Sequence, residues 1–514
     1  MFIREKKNSS GSVSIQIISK ARGRYKVVKT VGCGAERHKI EELKKMAEQE
    51  INRLKNQPSL FQSDTDNLVE KVFNSLTNSQ IRTIGPELIF GKIFDFIGFN
   101  AIKEPLFRHL VIARLAYPLS KLKTTEYLYR FQGTSIGTDK IYYFLDRLNS
   151  RHKKQVEQIS FAYTKRILKD EISVVFYDMT TLYFEASDED DLRKAGFSKD
   201  GKHSKPQIVI GLLVGLGGYA IGYDIFEGNT YEGHTLIPFL EKMQEKFDIK
   251  RPVVVADSGI LSNDNLQALE EGGYQYIIGA RLKNESKSIQ QQIITQKYHQ
   301  GSIYRFNKQV KVNDKTRMRR LIVHFSEERA RKDAYNRKKG LERLEKRLKS
   351  GKLTKSNINN RGYNKYLEIK GDVDISIDYQ KYENDSLWDG LKGYITNSEL
   401  PPTLVLENYG QLWHIEKAFR MSKTDLRIRP IYHRLKHRIK AHICIAFTAY
   451  TIYKELERIL KEEQSDLSIQ KASEITHNMY QLTYQLPDSG KTKTQLLNMD
   501  QQQKELYEII TRNF

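Results

Sequence analysis

Between Ile172 and Gly279 short apolar runs alternate with helical stretches, and this rhythm limits the fold more than any other part of the chain. Ile172 to Asp178 (ISVVFYD) reads as a buried strand ending in an acid. Gln207 to Val214 and Tyr219 to Phe226 read as two more strands joined through Gly217-Gly218, a hairpin signal. His234 to Phe247 has helical spacing. Pro252 to Ala256 (PVVVA) is a wholly apolar strand with Asp257 at its C-terminal end. Ser262 caps a helix to about Glu271, and Tyr274 to Gly279 returns as a strand. The order β, β-hairpin, α, β, α, β predicts an α/β fold, a mixed sheet flanked by helices.

The surrounding regions read differently. Apolar and polar residues alternate over 12–31, with a turn at Ala21-Arg22-Gly23, so this segment is an expected hairpin. Lys20, Arg22, Arg24, Lys26 and Lys29 decorate it, which suits a phosphate-contacting arm or a solvated face equally. From Ile40 to about Leu168 the pattern is helical. Lys121 to Phe131 and Thr138 to Leu148 flank a Gly-bounded turn, a loose helix–turn–helix in which Thr138 is the expected N-cap. DNA binding and plain packing account for that pair equally well. Between Leu282 and Ser398 the rhythm is lost. Alternation at Arg319 to Phe325 and Tyr366 to Tyr379 brackets a very basic helical stretch over 326–352, so the region reads as a β-rich insertion with one charged helix. His433 to Glu455 is a more apolar helix. The expected divisions are a small hairpin or arm region (1–55), a helical region with possible DNA binding (56–168), a first part of the core (169–283), the insertion (284–400), the last core helices (401–455) and a helical tail (456–514).

Charge narrows the choice of partner. A formal net charge of +22 over 514 residues attracts phosphate, so nucleic acid is the leading expectation. A membrane surface fits less well, because the basic residues are spread widely and no apolar run is long enough to span a bilayer. Cys33 and Cys444 are the only thiols; they exclude a disulfide framework and a zinc site and fit a reducing cytoplasm. His203 and His234 have no zinc-like spacing with either cysteine, and no Walker-type phosphate loop is present. The N-terminus carries no signal-peptide pattern.

Three carboxylates stand out by position. Asp178 and Asp257 each follow an apolar strand, and acids at strand ends of an open sheet converge on the ligand crevice. Glu416 lies in Tyr409 to Arg438 (YGQLWHIEKAFRMSKTDLRIRPIYHRLKHR). Read as one helix, this stretch stacks Tyr409, Glu416 and Lys423 within roughly 20° of one line, with Arg420 and Arg427 beside it. Leu412, Ile415, Phe419 and Leu426 form a separate apolar stripe, and Pro430 ends or kinks the helix. Singly, each acid has a bland reading: a turn cap or a solvated helix face. Together they suit Mg²⁺, which needs oxygen ligands, and two such ions about 3.5–4 Å apart promote phosphodiester displacement.

Several blocks resemble the DDE transposases of insertion sequences, more narrowly the longer branch of the insertion-sequence-four superfamily. They are YDMTTLYFEA around Asp178, FSKDGKHSKPQIVIGLL, GNTYEGHT, VVADSGILS around Asp257, and the Tyr409 stretch with its following FRMSKTDLRIRPIYHRLKHRIKAHICIAF. That group's signature is Tyr, two residues, Arg, three residues, Glu, six residues, Lys. Tyr409, Glu416 and Lys423 fit it, and Leu412 stands where Arg is expected. The resemblance implies an RNase H-like core interrupted by an insertion domain between the second Asp and the Glu. It implies Asp178, Asp257 and Glu416 as catalytic ligands of Mg²⁺ or Mn²⁺, two ions in all. Tyr409 and Lys423 would contact DNA phosphate near the cut end. Arg420, Arg427 and Arg429 are further candidate DNA contacts, and Arg420 or Arg427 could replace the missing Arg.

The expected function is cut-and-paste transposition: cleavage at terminal inverted repeats and strand transfer into target DNA. Double-stranded DNA and a second copy of the chain, as a homodimer on DNA, are the expected partners. The expected setting is the bacterial cytoplasm, at the nucleoid. Rival readings are an RNase H-like nuclease or resolvase that cuts without joining, and a non-catalytic DNA-binding relative.

Overall fold

The computed structural model describes the whole chain except residues 22, 56–63, 199–200, 203, 313–314, 352, 355–357, 360–361, 371–373 and 488. Arg22 and His203 therefore lie outside the described residues. The chain divides into two compact units, Met1–Gln80 with Leu482–Gln495, and Ile81–Gln481 with Leu496–Phe514.

In the first unit, β1 (Phe2–Lys7), β2 (Val13–Ala21) and β3 (Arg24–Gly34) form an antiparallel sheet in that order. The expected hairpin is β2–β3, and β1 adds a strand that the sequence pattern did not suggest. Helix α1 (Arg37–Lys55) covers one face, where Ile15 and Ile17 pack with Leu43, Ala47 and Ile51. Two sheet charges pair with that helix: Lys29 with Glu50 at 2.7 Å, and Glu5, the sheet's one acid, with Lys44 at 2.5 Å. Alternation puts Arg4 and Gln16 on the other face. There Arg4 donates to Gln16 at 2.7 Å, Gln16 reaches Thr30 at 3.4 Å, and the Lys20 ammonium lies 5.4 Å from the ring of Tyr25. This second face carries cations and hydrogen-bonding groups without a carboxylate of its own.

The second unit begins with helices, among them α2 (Pro105–Ala116), α3 (Lys121–Gln132), α4 (Thr138–Arg147) and α5 (Lys153–Ile167). Ser120 caps α3 by accepting from the Lys123 N–H at 3.3 Å. The cap of α4 is Gly137; Thr138 is already inside the helix and makes no cap bond. These helices share one apolar core with the sheet that follows, through Phe107, Ile141, Phe144 and Tyr163.

That sheet has eight strands. In chain order they are β4 (Val174–Tyr183), β5 (Gln207–Val214), β6 (Ala220–Glu227), β7 (Val253–Ala256), β8 (Gln275–Ala280), β9 (Ile303–Val312), β10 (Lys315–Phe325) and β11 (Leu391–Thr396). Their spatial order is β9-β10-β11-β8-β7-β4-β5-β6. The central strands β4, β7 and β8 run parallel, and both flanks are antiparallel, so the mixed sheet is as expected. The β5–β6 connection turns at Gly217 and Gly218, whose φ values of 71° and 82° favour glycine. Helices α6 (Leu236–Phe247) and α7 (Asn263–Glu271) cover one face, over Tyr177, Val254 and Tyr276. The opposite face receives α8 (Pro402–Gly410), α9 (Trp413–Arg420) and the long apolar α10 (Lys436–Glu462).

The segment expected as an insertion does contain strands and one basic helix, Glu327–Lys349, capped by Ser326. Its strands β9, β10 and β11 continue the same sheet. A buried ion pair secures this extension: Arg319 of β10, 1% exposed, donates to Glu270 of α7 at 2.7 Å, and Tyr276 donates to the same oxygen at 2.7 Å. Burial opposes ionisation of Glu270, but these donors outweigh it and hold its pKa below the usual value. The C-terminal region departs from a purely helical tail, since Tyr480–Gln485 and Thr492–Leu496 are strands. No described helix is long and apolar enough to cross a membrane.

Candidate active site

Asp178 does not end its strand. β4 continues to Tyr183, because beyond Asp178 it still pairs with β5, while its other neighbour β7 has stopped at Ala256. The parallel register pairs Tyr177 with Ala256, so Asp178 and Asp257 each follow directly on a paired position of adjacent strands. Alternation turns both toward the face that carries α8 to α10. Each aspartate also caps backbone: Asp178 accepts from the Met179 N–H and Asp257 from the Gly259 N–H, both at 2.7 Å. The bland reading of a strand-end Asp as a turn cap is thus true of Asp257 and compatible with a second role.

The single helix read over 409–438 is broken. α8 ends at Gly410 and α9 starts at Trp413, with tight bonds from Leu412 N–H to Tyr409 O (3.0 Å) and from Ile415 N–H to Leu412 O (3.2 Å) across the joint. A wide turn over Met421–Asp425 closes α9, and the helix is over before Pro430. The break lets α8 lie on β7 and β8 while α9 lies on β4 and β5. The charge of Glu416 still acts on Tyr409. Tyr409 is 8% exposed, its ring edge-on to Tyr394 at 4.8 Å, and its hydroxyl sits against Gly279 beside the Ser258 N–H. Burial first, then the charges of Asp257 and Glu416, push its pKa above the usual phenol value, so it stays a neutral donor.

The cations beside this group are not those the sequence suggested. Leu412 is 7% exposed and belongs to the core, so it cannot reach a phosphate. Arg420 opens on a separate groove with Lys417, Asp425 and Lys461. Arg427 and Arg429 line another cavity, and Arg429 also lies 5.9 Å from the ring of Tyr183 at the end of β4. Lys423 flanks β4, lining a small cavity with Thr180 and Leu182. The cation the sequence reading missed is Lys392 of β11. Its ammonium lies 4.5 Å from the Tyr409 ring, and its pKa is lowered by burial and by Arg329, with Glu416 opposing. Arg281 donates to the Ser258 carbonyl at 2.8 Å. Lys392, Arg281, Arg329, Ser258 and Tyr409 line one open cavity of about 670 Å³. No local pattern marked Lys392, because only the pairing of β11 with β8 brings it here.

The fit to a divalent cation rests on donor chemistry: two adjacent aspartates and an exposed glutamate offer the hard oxygens that Mg²⁺ or Mn²⁺ requires. Among the described residues no three carboxylate, His or Cys groups already stand together as a metal-binding cluster. Glu416 is exposed at the helix surface.

Residues 169–452, more than half of the chain, match the family model of the transposase DDE domain. The chain belongs to the DDE transposases. It is therefore a DNA transposase, an enzyme of phosphodiester cleavage and transfer, and divalent metal is part of that family's chemistry. Among solved structures, this transposase is similar to a piggyBac transposase synaptic complex with hairpin DNA (10% identity, 77% of this chain and 78% of that chain, TM-score 0.37). It is also similar to a Mos1 transposase paired-end complex with the left transposon end (11% identity, 31% and 53%, TM-score 0.16) and to a Mos1 mariner paired-end complex with Mn (12% identity, 31% and 54%, TM-score 0.14). No curated protein matches the chain.

Proposed function

We propose that this transposase works by cut-and-paste, as a member of the longer branch of the insertion-sequence-four superfamily. It would cleave at the terminal inverted repeats of its own element and join the freed ends to target DNA. Its core is assigned as RNase H-like, in two parts over 169–283 and 401–455, with 284–400 as the insertion. The observation that carries the reading is the parallel register that pairs Tyr177 with Ala256, one residue before Asp178 and Asp257, together with the charges of Asp257 and Glu416 that both act on Tyr409.

Asp178, Asp257 and Glu416 would hold two Mg²⁺ or Mn²⁺ ions, which supply Lewis-acid stabilisation of the charge that develops on the phosphate. Tyr409, kept neutral, donates its hydroxyl hydrogen to a phosphate oxygen at the cut end. Lys392 takes the place of the Arg absent at Leu412, and Lys423 grips the strand on the β4 side. Water attacks phosphorus, the bond to the 3′ oxygen breaks, and a 3′-hydroxyl and a 5′-phosphate result. That hydroxyl then attacks a target phosphodiester, and the displaced target 3′ oxygen leaves with a proton. The carboxylate-free face of the N-terminal sheet, with Arg4, Gln16 and Lys20, suits duplex DNA. Two ends must be held together, so a homodimer on DNA in the bacterial cytoplasm, at the nucleoid, completes the proposal.

The test is Glu416→Gln. It should abolish Mg²⁺-dependent cleavage of terminal-repeat DNA and leave DNA binding largely intact. Robust cleavage by that variant removes Glu416 from the site, and cutting without joining by the wild type favours a nuclease.

A further inference from the structure

A second group of basic side chains lies away from the acids, and among the described residues no acid pairs with it. Arg114 of α2, Lys121 at the start of α3, His433, and His442 of α10 are 6, 8, 8 and 6% exposed. They surround a cavity of about 350 Å³ whose rim carries Arg427 and Arg429. Burying an unpaired charge costs several kcal/mol in a folded protein, so such groups are normally matched by an acid or by a ligand. Among the described residues no acid matches Arg114 or Lys121. Asp146, on the neighbouring helix, is already engaged by Arg438 at 2.7 and 2.9 Å and by His437 at 2.8 Å.

The four groups are also poorly satisfied by hydrogen bonds. Among the described residues Arg114 reaches the Leu426 and Arg427 carbonyls alone, at 3.4 and 3.5 Å, which is the long limit of such bonds. His442 uses Nε2 on the Ile428 carbonyl at 3.0 Å and leaves Nδ1 buried without a partner. Lys121 has no hydrogen bond or ion pair within the described residues. Burial lowers the pKa of all four, Arg114 to about 10 and His433 to about 3, and the charges that act on Lys121, His433 and His442 are positive. Arg427 holds a left-handed backbone (φ 44°), a costly conformation for a side chain of that size, in the loop that closes the cavity.

We propose that Arg114, Lys121, His433 and His442, entered past Arg427 and Arg429, form a phosphate-binding pocket that takes a backbone phosphate of the DNA. The carbonyl contacts of Arg114 and His442 fix the walls, and Lys121 supplies the unspent ammonium. The shared chemistry is a phosphate oxyanion, so free inorganic phosphate would enter as well. The DNA source rests on the transposase reading above; the pocket itself does not.

The experiment uses the full chain and the variant Lys121→Met, which keeps the side-chain length and removes the charge. Thermal unfolding is followed in inorganic phosphate and in sodium chloride of equal ionic strength. The wild type should gain about 2–4 °C in phosphate. Lys121→Met should be at least as stable as the wild type in chloride and gain nothing in phosphate, a pattern that loss of a merely structural lysine would not give. An equal phosphate gain in both proteins overturns the pocket. In a second arm, the salt dependence of binding to a random-sequence duplex is measured. The variant should lose about 0.9 from the slope of log affinity against log salt, the signature of one lost phosphate contact. An unchanged slope together with a lost phosphate gain overturns DNA as the source and leaves inorganic phosphate as the ligand. Should Lys121→Met fail to fold, Arg427→Ala at the exposed rim is expected to weaken both readouts, and no change in either overturns the proposal. A protein that cleaves terminal-repeat DNA yet fails these tests loses only the pocket; one that passes them without cleaving loses only the transposition mechanism.

Discussion

The hydroxyl of Tyr409 occupies the space that a side chain at Gly279 would need: a methyl there would stand 2.5 Å from the Tyr409 oxygen and 3.2 Å from the Ser258 nitrogen. Glycine at this point of β8 is therefore what allows a helix-borne phenol to reach the end of β7, next to Asp257.

Gly279→Ala should displace Tyr409 and cost about 1–3 kcal/mol of stability from overpacking. A displacement near 1 Å at a reacting centre costs about 10²-fold in rate, so cleavage of terminal-repeat DNA should fall by that order. Adding Tyr409→Phe to Gly279→Ala should cost little more, because the hydroxyl is already out of place. Fully additive losses would show that the two residues act apart.

Lys392→Ala should lower both cleavage and end binding. With one phosphate contact gone, the salt slope of binding should shrink by about 0.9. Lys392→Arg keeps the charge and should restore the slope while recovering cleavage only in part, since a planar guanidinium stacks differently on the Tyr409 ring. An unchanged slope in Lys392→Ala would make Lys392 a support for the ring and nothing more.

Acid should weaken the fold earlier than carboxylate titration alone would require. His433 and His442 are held well below the ordinary histidine value by burial and then by neighbouring cations. The unfolded chain binds these protons near pH 6.5 and the folded one does not, so stability is complete above that pH and falls as pH drops toward the folded values. Each histidine should contribute about 1.4 kcal/mol per pH unit over that window. Denaturant unfolding in chloride between pH 7 and 5 measures the slope, and His433→Asn should flatten it.

The central sheet was legible because its strands are short, apolar and separated by well-marked helices and glycine turns; Gln207–Val214 and the capped helix after Ser262 form as read. Local signals erred where tertiary contacts decide. Asp178 reads as a strand end because the apolar run closes on an acid there, yet pairing with β5 carries the strand on to Tyr183. The helix from Tyr409 breaks at Gln411 and Leu412 although neither residue is a breaker, since the two halves must lie on different strands. Of the expected site residues, Asp178 and Asp257 follow a paired strand register and the charges of Asp257 and Glu416 reach Tyr409, whereas Arg420 and Arg427 face other cavities. Lys392 was invisible for the same reason: strand pairing across more than a hundred residues leaves no trace in a local window.

The pairing of β8 with β11, Gly279 against Tyr394 and Ile278 against Ile395, also sets an order in time. Chain synthesis delivers Asp178 and Asp257 early, but β8 cannot gain its second neighbour until residue 396 has left the ribosome, and Glu416 follows later still. Closing so long a loop is entropically slow relative to local structure. On the proposed assignment, a nascent transposase thus carries Asp178 and Asp257 without Glu416 while residues 258–415 are made, and it acquires the means to cut DNA only when its catalytic unit is nearly whole.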